Sequence, residues 1–227
     1  NLYANFSKGF FFPQIRGFSP VLGIDDAKYD SEKIIQLEAG TKIGTDKFSG
    51  SFAGYYVSLK DRIKITQAIV GGNLVDQTRS TQNTSTFGIE ATGDYKFTDN
   101  LNLKGTLTYQ KHEIDKNTNE DLVNGGTTSA NEGNKLARQP NLLGSLGLYF
   151  DNKRFDSSFS GNYTGKKFSS DANTIELDAI TIMRFNAGYT LKIDEDEKTL
   201  RLGFSVFNLF DSEGITEGNP RAGISGQ

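Results

Sequence analysis

The stretch FFFPQIR at residues 10–16 has the residue types best suited to binding a ligand. Aromatic rings stack on aromatic ligands, and a guanidinium forms strong charge-assisted hydrogen bonds with anions. Phe10, Phe12 and Arg16 are therefore the candidate substrate-binding residues, and the ligand that they fit is aromatic and anionic. The alternative is that the phenylalanines belong to an aromatic surface band and contact no ligand.

Metal binding and catalysis find little support in the sequence. The single histidine, His112, is either a ligand to a metal or haem, or a solvated loop residue beside Glu113. The carboxylates that might bind calcium lack the regular spacing of a calcium loop; they are Asp25, Asp26, Asp30, Glu120 and Asp121. No catalytic triad and no phosphate-binding glycine motif is evident. We therefore expect no metal site, no cofactor and no enzymatic activity.

The composition narrows the class of protein. The net charge of the 227-residue chain is −3 and no basic stripe occurs, so we expect no nucleic-acid partner. Hydrophobic residues make up 35%, below the roughly 45–50% that is usual in globular domains. No run of eighteen apolar residues could form a transmembrane helix, but the strands of a membrane barrel are only half apolar.

Nine segments alternate between apolar and polar residues with a period of two, which predicts β-strands. They are 2–7, 33–44, 48–60, 84–97, 101–111, 141–150, 154–165, 180–193 and 200–206. In the third segment we expect Ala53, Tyr55, Val57 and Leu59 on the apolar face. No segment of comparable length shows helical periodicity.

The connections between these strands are expected to be alternately short and long. The short ones are 45–47, 98–100, 151–153 and 194–197, and the long ones are 8–32, 61–83, 112–140, 166–179 and the tail from 211. Short turns at one end, long loops at the other and aromatic residues near strand ends are typical of an outer-membrane barrel. The alternative is a soluble β-sandwich whose apolar faces pack together.

The sequence thus predicts an all-β, antiparallel up-and-down transmembrane barrel. Bacterial barrels have an even number of strands, whereas about nine are found here. We therefore expect residues 1–227 to be one portion of a larger barrel, with further strands both before and after it.

Five motifs, in order along the chain, carry a resemblance to a known family. They are NLYANFSKGFFFPQIRGF (1–18), LEAGTKIG (37–44), TFGIEATGDYKFTDNLNLKGTLTYQ (86–110), NYTGKKF (162–168) and VFNLFDSEG (206–214). In these motifs the chain resembles the C-terminal part of the barrel of TonB-dependent outer-membrane receptors.

The resemblance implies a barrel of about 22 strands in the bacterial outer membrane, plugged by an N-terminal domain. It implies active uptake of a scarce nutrient, most often a ferric siderophore, driven by TonB through a region that this sequence lacks. The expected partners are outer-membrane lipid, the rest of the barrel, the plug domain, TonB and the extracellular ligand, which Phe10, Phe12 and Arg16 would contact. The alternatives are a receptor for haem, cobalamin, another metal or a glycan, and a large unplugged porin.

Overall fold

The computed structural model describes residues 1–12, 31–70, 72–121, 123–193 and 198–215. Its strands are β1 (Leu2–Phe11), β2 (Glu32–Gly44), β3 (Phe48–Val70), β4 (Asn73–Thr98), β5 (Leu101–Asp121), β6 (Thr127–Ser129), β7 (Leu142–Asp151), β8 (Phe155–Thr164), β9 (Lys167–Phe168), β10 (Glu176–Leu177), β11 (Ile180–Lys192) and β12 (Thr199–Phe207). In the described ranges we find no helix with the length and apolar character needed to cross a membrane.

The nine predicted strands all exist and form one antiparallel sheet. Their order is β1-β2-β3-β4-β5-β7-β8-β11-β12, with the short β6 paired to β5, while β9 and β10 form a separate hairpin. Each long strand lies beside the next long strand in the chain, which is the predicted up-and-down arrangement. Across the described residues the sheet is open, because β1 and β12 occupy its two edges.

Tight turns lie at one end of the sheet, which we call the short-turn end. Thr45 closes the β2–β3 turn, since its Oγ1 accepts the Phe48 amide at 2.9 Å. Asn152 closes the β7–β8 turn in the same way, with its Oδ1 accepting the Phe155 amide at 2.7 Å. Such side-chain caps are the usual chemistry of hairpin turns that begin with a hydroxyl or amide residue.

The opposite end, called the long-strand end, differs from the prediction. Residues 61–83 were expected to be a long loop, but β3 continues to Val70 and β4 begins at Asn73. Likewise, β5 runs to Asp121 inside the expected loop 112–140. The added part of β5, residues 112–121, is mostly polar and carries no alternation of apolar residues to mark it as a strand. The segment 61–83 does contain apolar residues, among them Ile63 and Ile69, and the prediction of a loop there is wrong.

The strand register assigns every side chain to one of two faces. The register aligns Phe6 with Leu37, Leu37 with Tyr56 and Tyr56 with Phe87, so these side chains share the face that we call outward. In β3 the prediction is wrong. Ala53, Tyr55, Val57 and Leu59 lie on the inward face, because Phe52 and Tyr56 occupy the outward positions.

The outward face is apolar, and no other described part of the chain covers it. Leu2, Phe6, Leu107, Leu202 and Phe204 are among its exposed side chains. Among the described residues only Ala53, Ile114 and Leu177 are buried apolar residues. The accessible surface is 15666 Å², against about 10,000 Å² for a globular protein of this mass. A sandwich would bury these side chains, so the exposed apolar face does not fit that alternative.

Two belts of aromatic residues border the outward face. The belt at the short-turn end contains Phe48, Tyr95, Phe97, Phe150, Phe155 and Tyr189. The belt toward the long-strand end contains Tyr56, Phe87, Tyr109 and Tyr163. On β3, Phe48 and Tyr56 are separated by about 27 Å of strand, or about 20 Å along the membrane normal at the usual tilt of about 40°, which is close to the roughly 25 Å apolar band of outer-membrane barrels.

Candidate functional site

The inward face is concave and polar. A trough of about 690 Å³ is lined by residues from seven neighbouring strands, from Lys42 on β2 to Arg184 on β11. We call its inward-facing side chains near the short-turn end the lower wall. Their polar groups bond across the strands: Asp94 pairs with Lys104 at 3.2 Å, and Ser51 and Thr92 approach to 2.7 Å.

A tyrosine fixes three strands of the inward face together. Tyr55 on β3 extends across Gly88 of β4 and donates a hydrogen bond to Gln110 Oε1 of β5 at 2.9 Å. A Cβ atom at position 88 would lie 2.3 Å from Tyr55 Cζ, so the ring can take this path only over a glycine. This contact therefore holds β3, β4 and β5 together on the inward face.

Two segments fold over the inward face at the long-strand end, residues 130–141 and 165–179. We call these two segments the cap. They bond to each other. Lys135 N donates to Asn173 Oδ1 at 2.8 Å, and Arg138 N donates to the Phe168 carbonyl at 2.8 Å. The first segment also bonds to the edge of β5, because Ile114 N donates to the Asn134 carbonyl at 2.9 Å.

Asp171 connects the cap to the strands. Its Oδ2 accepts from Lys64 Nζ of β3 at 2.5 Å and from Gln82 Nε2 of β4 at 3.3 Å. Its Oδ1 accepts from the Ala137 amide of the other cap segment at 2.9 Å. Burial by itself raises the pKa of the Asp171 carboxyl, but the ammonium of Lys64 and the other donors outweigh it and lower that pKa. The group is therefore an anion at neutral pH.

A cavity of about 420 Å³, the cap cavity, lies between the cap and β3. Its charged lining residues are Arg62 and Lys64 of β3, Arg138 of the cap, and Asp171. Lys64 and Asp171 neutralise each other. No carboxylate of the described residues forms an ion pair with Arg62 or Arg138, so two guanidiniums remain available. Arg138 is held at a positive φ of 63°, which is uncommon for a residue with a side chain.

This arrangement suits an anion. Guanidinium groups donate paired hydrogen bonds to the acceptor oxygens of carboxylate and phosphate groups. The cavity volume also falls within the range of small-molecule sites, about 300–1,000 Å³. The cap cavity is therefore the best candidate binding site on the described part of the chain.

The residues that the sequence nominated lie elsewhere. Phe10 is on the outward face, opposite Lys33, and is 54% exposed. Phe12 follows the end of β1 and is 77% exposed. Arg16 lies outside the described residues. Phe10 and the cap cavity are on opposite faces of the sheet, and the role of Phe10, Phe12 and Arg16 in ligand binding stays a prediction.

His112 is not a solvated loop residue, so that alternative is wrong. It lies within β5, is 7% exposed, and its Nδ1 is 2.8 Å from Thr86 Oγ1. It belongs to a buried polar layer with Gln82, Thr84 and Asn117. In the part of the chain that the structure describes, no cluster of three or more metal-binding side chains occurs.

Comparison with known proteins identifies the family. A sequence model described as TonB dependent receptor-like, beta-barrel matches residues 1–209. The chain belongs to the TonB-dependent receptor family. The comparison with curated proteins found no match.

Solved TonB-dependent receptors share the fold. The ferric preacinetobactin receptor BauA of Acinetobacter baumannii matches 92% of the chain with a TM-score of 0.67 and 18% identity. The ferric yersiniabactin uptake receptor FyuA of Yersinia pestis matches 96% with a TM-score of 0.69 and 17% identity. The ferric citrate transporter FecA matches 92% with a TM-score of 0.71 and 17% identity. The chain spans only 30–31% of the length of these three proteins.

Proposed function

We propose that this chain is part of the barrel of an outer-membrane receptor that imports a scarce nutrient with energy from TonB. The outward face then contacts outer-membrane lipid, and the inward face encloses a plug domain. The edge strands β1 and β12 pair with further strands of the same barrel, which would satisfy their free backbone groups. The long-strand end, with the cap, faces the outside of the cell.

The ligand that we propose is an anionic ferric siderophore. The single observation that carries this proposal is the cap cavity, where Arg62 and Arg138 line the lumen without an acidic partner among the described residues. BauA and FyuA are named as receptors for such ferric complexes, although their low identity supports the fold rather than the ligand. A neutral glycan would not require two unneutralised cations.

We also propose that the chain is not an enzyme. The groups of the cap cavity attract negative charge, while its carboxylate is already held by Lys64. Groups that attract a negatively charged ligand are sufficient for its capture and release.

Iron uptake tests the proposal. Cells that lack the native receptor would express the full-length protein, either wild type or with Arg62→Gln and Arg138→Gln, and would receive radioactive iron as an anionic tris-catecholate or carboxylate complex. We expect uptake at subsaturating ligand to fall about tenfold or more in the double variant, because each charge-assisted hydrogen bond contributes about 1.5–3 kcal/mol.

The matched control is Lys104→Gln, which removes an inward-facing cation that already has an acidic partner. Its uptake should equal that of the wild type. Uptake by the wild type should also stop when the proton gradient is collapsed. Equal uptake by the double variant and the wild type would refute the role of the cap cavity.

A further inference from the structure

One carboxylate lies among the cations of the cap cavity. Asp171 is the only acidic residue of the described part of the chain that lines this cavity, whose cationic lining residues are Arg62, Lys64 and Arg138. A fixed negative charge lowers the affinity of such a cavity for an anion, because like charges repel. The carboxylate therefore opposes the capture of an anionic ligand, and it does so more strongly for each further negative charge on that ligand.

Several contacts hold the Asp171 carboxylate in place. Its Oδ2 accepts from Lys64 Nζ at 2.5 Å and from Gln82 Nε2 at 3.3 Å, while its Oδ1 accepts from the Ala137 amide at 2.9 Å. The backbone is fixed as well, because the Asp171 carbonyl accepts from Asn134 Nδ2 at 2.9 Å. Two strands and the first cap segment therefore keep the negative charge at a defined position in the lining.

The charges of the lining determine which ligand charge fits best. Lys64 and Asp171 form an ion pair and cancel each other, so the guanidiniums of Arg62 and Arg138 supply the net positive charge. A ligand with two negative charges matches these two guanidiniums. Each further negative charge meets the Asp171 carboxylate without an additional cation to pair with. Repulsion of this kind is a general means of discriminating between similar ligands.

We propose that Asp171 is a specificity-determining residue that selects ligands by their charge. It lowers the affinity of the cap cavity for complexes with more than two negative charges, relative to dianionic complexes of the same shape. Arg62 and Arg138 determine that an anion is bound, and Asp171 determines which anion is bound most tightly. This inference rests on the proposed function, because it requires an anionic metal complex in the cap cavity.

Two metal complexes of one siderophore test the proposal. A tris-catecholate carries three negative charges when it holds Fe³⁺ and two when it holds Ti⁴⁺, while its octahedral shape stays the same. The Kd of each complex would be measured for the full-length receptor, as wild type and with Asp171→Asn. We expect the affinity for the Fe³⁺ complex, relative to the Ti⁴⁺ complex, to rise about tenfold in Asp171→Asn, since one unit of charge near a carboxylate in a partly hydrated cavity has about this effect.

The ratio of the two affinities separates charge from packing. Any opening of the cap in Asp171→Asn changes both affinities alike, because the two complexes have one shape. Asp171→Glu retains the negative charge and should keep the wild-type ratio. The matched control is Asp178→Asn, which removes an 89% exposed carboxylate of the same cap segment that does not line the cavity. Its ratio should change by less than about twofold, because water and salt screen an exposed charge.

Three results would each overturn the selection by Asp171 while both complexes still bind. They are an unchanged ratio in Asp171→Asn, an equal change of the ratio in Asp178→Asn, and the same change in Asp171→Glu as in Asp171→Asn. Absence of binding of both complexes to the wild type is a different result. It would refute the anionic ligand of the proposed function, and this inference with it.

Discussion

The lower wall and the cap cavity are built on the same face of the same sheet but treat charge differently. In the lower wall two acidic groups are matched to cations: Asp94 pairs with Lys104, and Asp156 accepts two hydrogen bonds from Arg201. Lys42 and Arg184 also line the trough there, and each lies over an aromatic ring rather than in an ion pair with a carboxylate of the described residues. In the cap cavity two of three cations lack such a partner among the described residues. The two regions therefore differ in how their cations are matched, and we propose that a ligand completes the second.

Disruption of the Tyr55–Gly88 contact is expected to have the largest effect on stability. Gly88→Ala places a methyl group where the Tyr55 ring lies, so the ring must leave Gln110. We expect the full-length receptor to lose about 3 kcal/mol of unfolding free energy, as measured by urea titration in lipid vesicles.

Gly54→Ala is the matched control, because the nearest atom to its new Cβ is 4.0 Å away. The double change Tyr55→Ser with Gly88→Ala should recover stability relative to Gly88→Ala alone. If Gly88→Ala and Gly54→Ala lower the unfolding free energy equally, the packing of Tyr55 over Gly88 makes no special contribution to stability.

Removal of the Asp171 carboxylate should open the cap while leaving the barrel folded. Asp171→Asn weakens the contacts to Lys64 and to the Ala137 amide. We expect the free energy of local opening to fall by about 2 kcal/mol, measured as faster hydrogen exchange at Ala137 and Arg138. The control is Asp178→Asn, because that side chain is 89% exposed and lies 3.4 Å from Lys166. Equal exchange rates in the two variants would contradict the role of Asp171.

The same carboxyl predicts how the cap responds to pH. The pKa of Asp171 is lowered in the folded protein. Its contribution to the stability of the closed cap is therefore present above the unfolded pKa of about 3.9 and is lost as the pH falls through the folded pKa. Protection of the Ala137 amide, corrected for intrinsic exchange, should stay constant from about pH 8 to about pH 5 and decline below about pH 4. A decline near neutral pH would show that another group holds the cap.

The smallest effect is expected in the lower wall. Lys104→Gln breaks a pair whose side chains are 55% and 29% exposed. Exposed pairs contribute little, so urea unfolding should change by less than about 1 kcal/mol. A loss as large as that of Gly88→Ala would mean that the wall depends on its charges rather than on its backbone pairing.

The sequence predicted the strands and their order because period-two alternation reports directly on a sheet with one apolar face. It failed in β3, where Phe52 and Tyr56 on one face and Val57 and Leu59 on the other are all apolar, so alternation alone cannot choose a face. The strand register decides which face is outward, because it places Tyr56 beside Leu37 and Phe87.

The cap cavity could not be predicted from the sequence. Lys64 and Asp171 are 107 residues apart, and each is an ordinary charged residue in a segment that the sequence analysis assigns to a loop. Only pairing of the strands brings them together. The aromatic stretch at residues 10–16 was more conspicuous, yet its residue Phe10 lies on the outward face of the sheet, opposite to the face of the cap cavity.

Equilibrium binding to the purified full-length receptor tests the central claim most directly. The affinity of an anionic tris-catecholate ferric complex and of a cationic tris-hydroxamate ferric complex would be measured for wild type, Arg62→Gln with Arg138→Gln, and Lys104→Gln. The account predicts that the double variant loses about tenfold or more in affinity for the anionic complex alone, while Lys104→Gln matches the wild type. Unchanged binding of the anionic complex by the double variant, or an equal loss in Lys104→Gln, would contradict it.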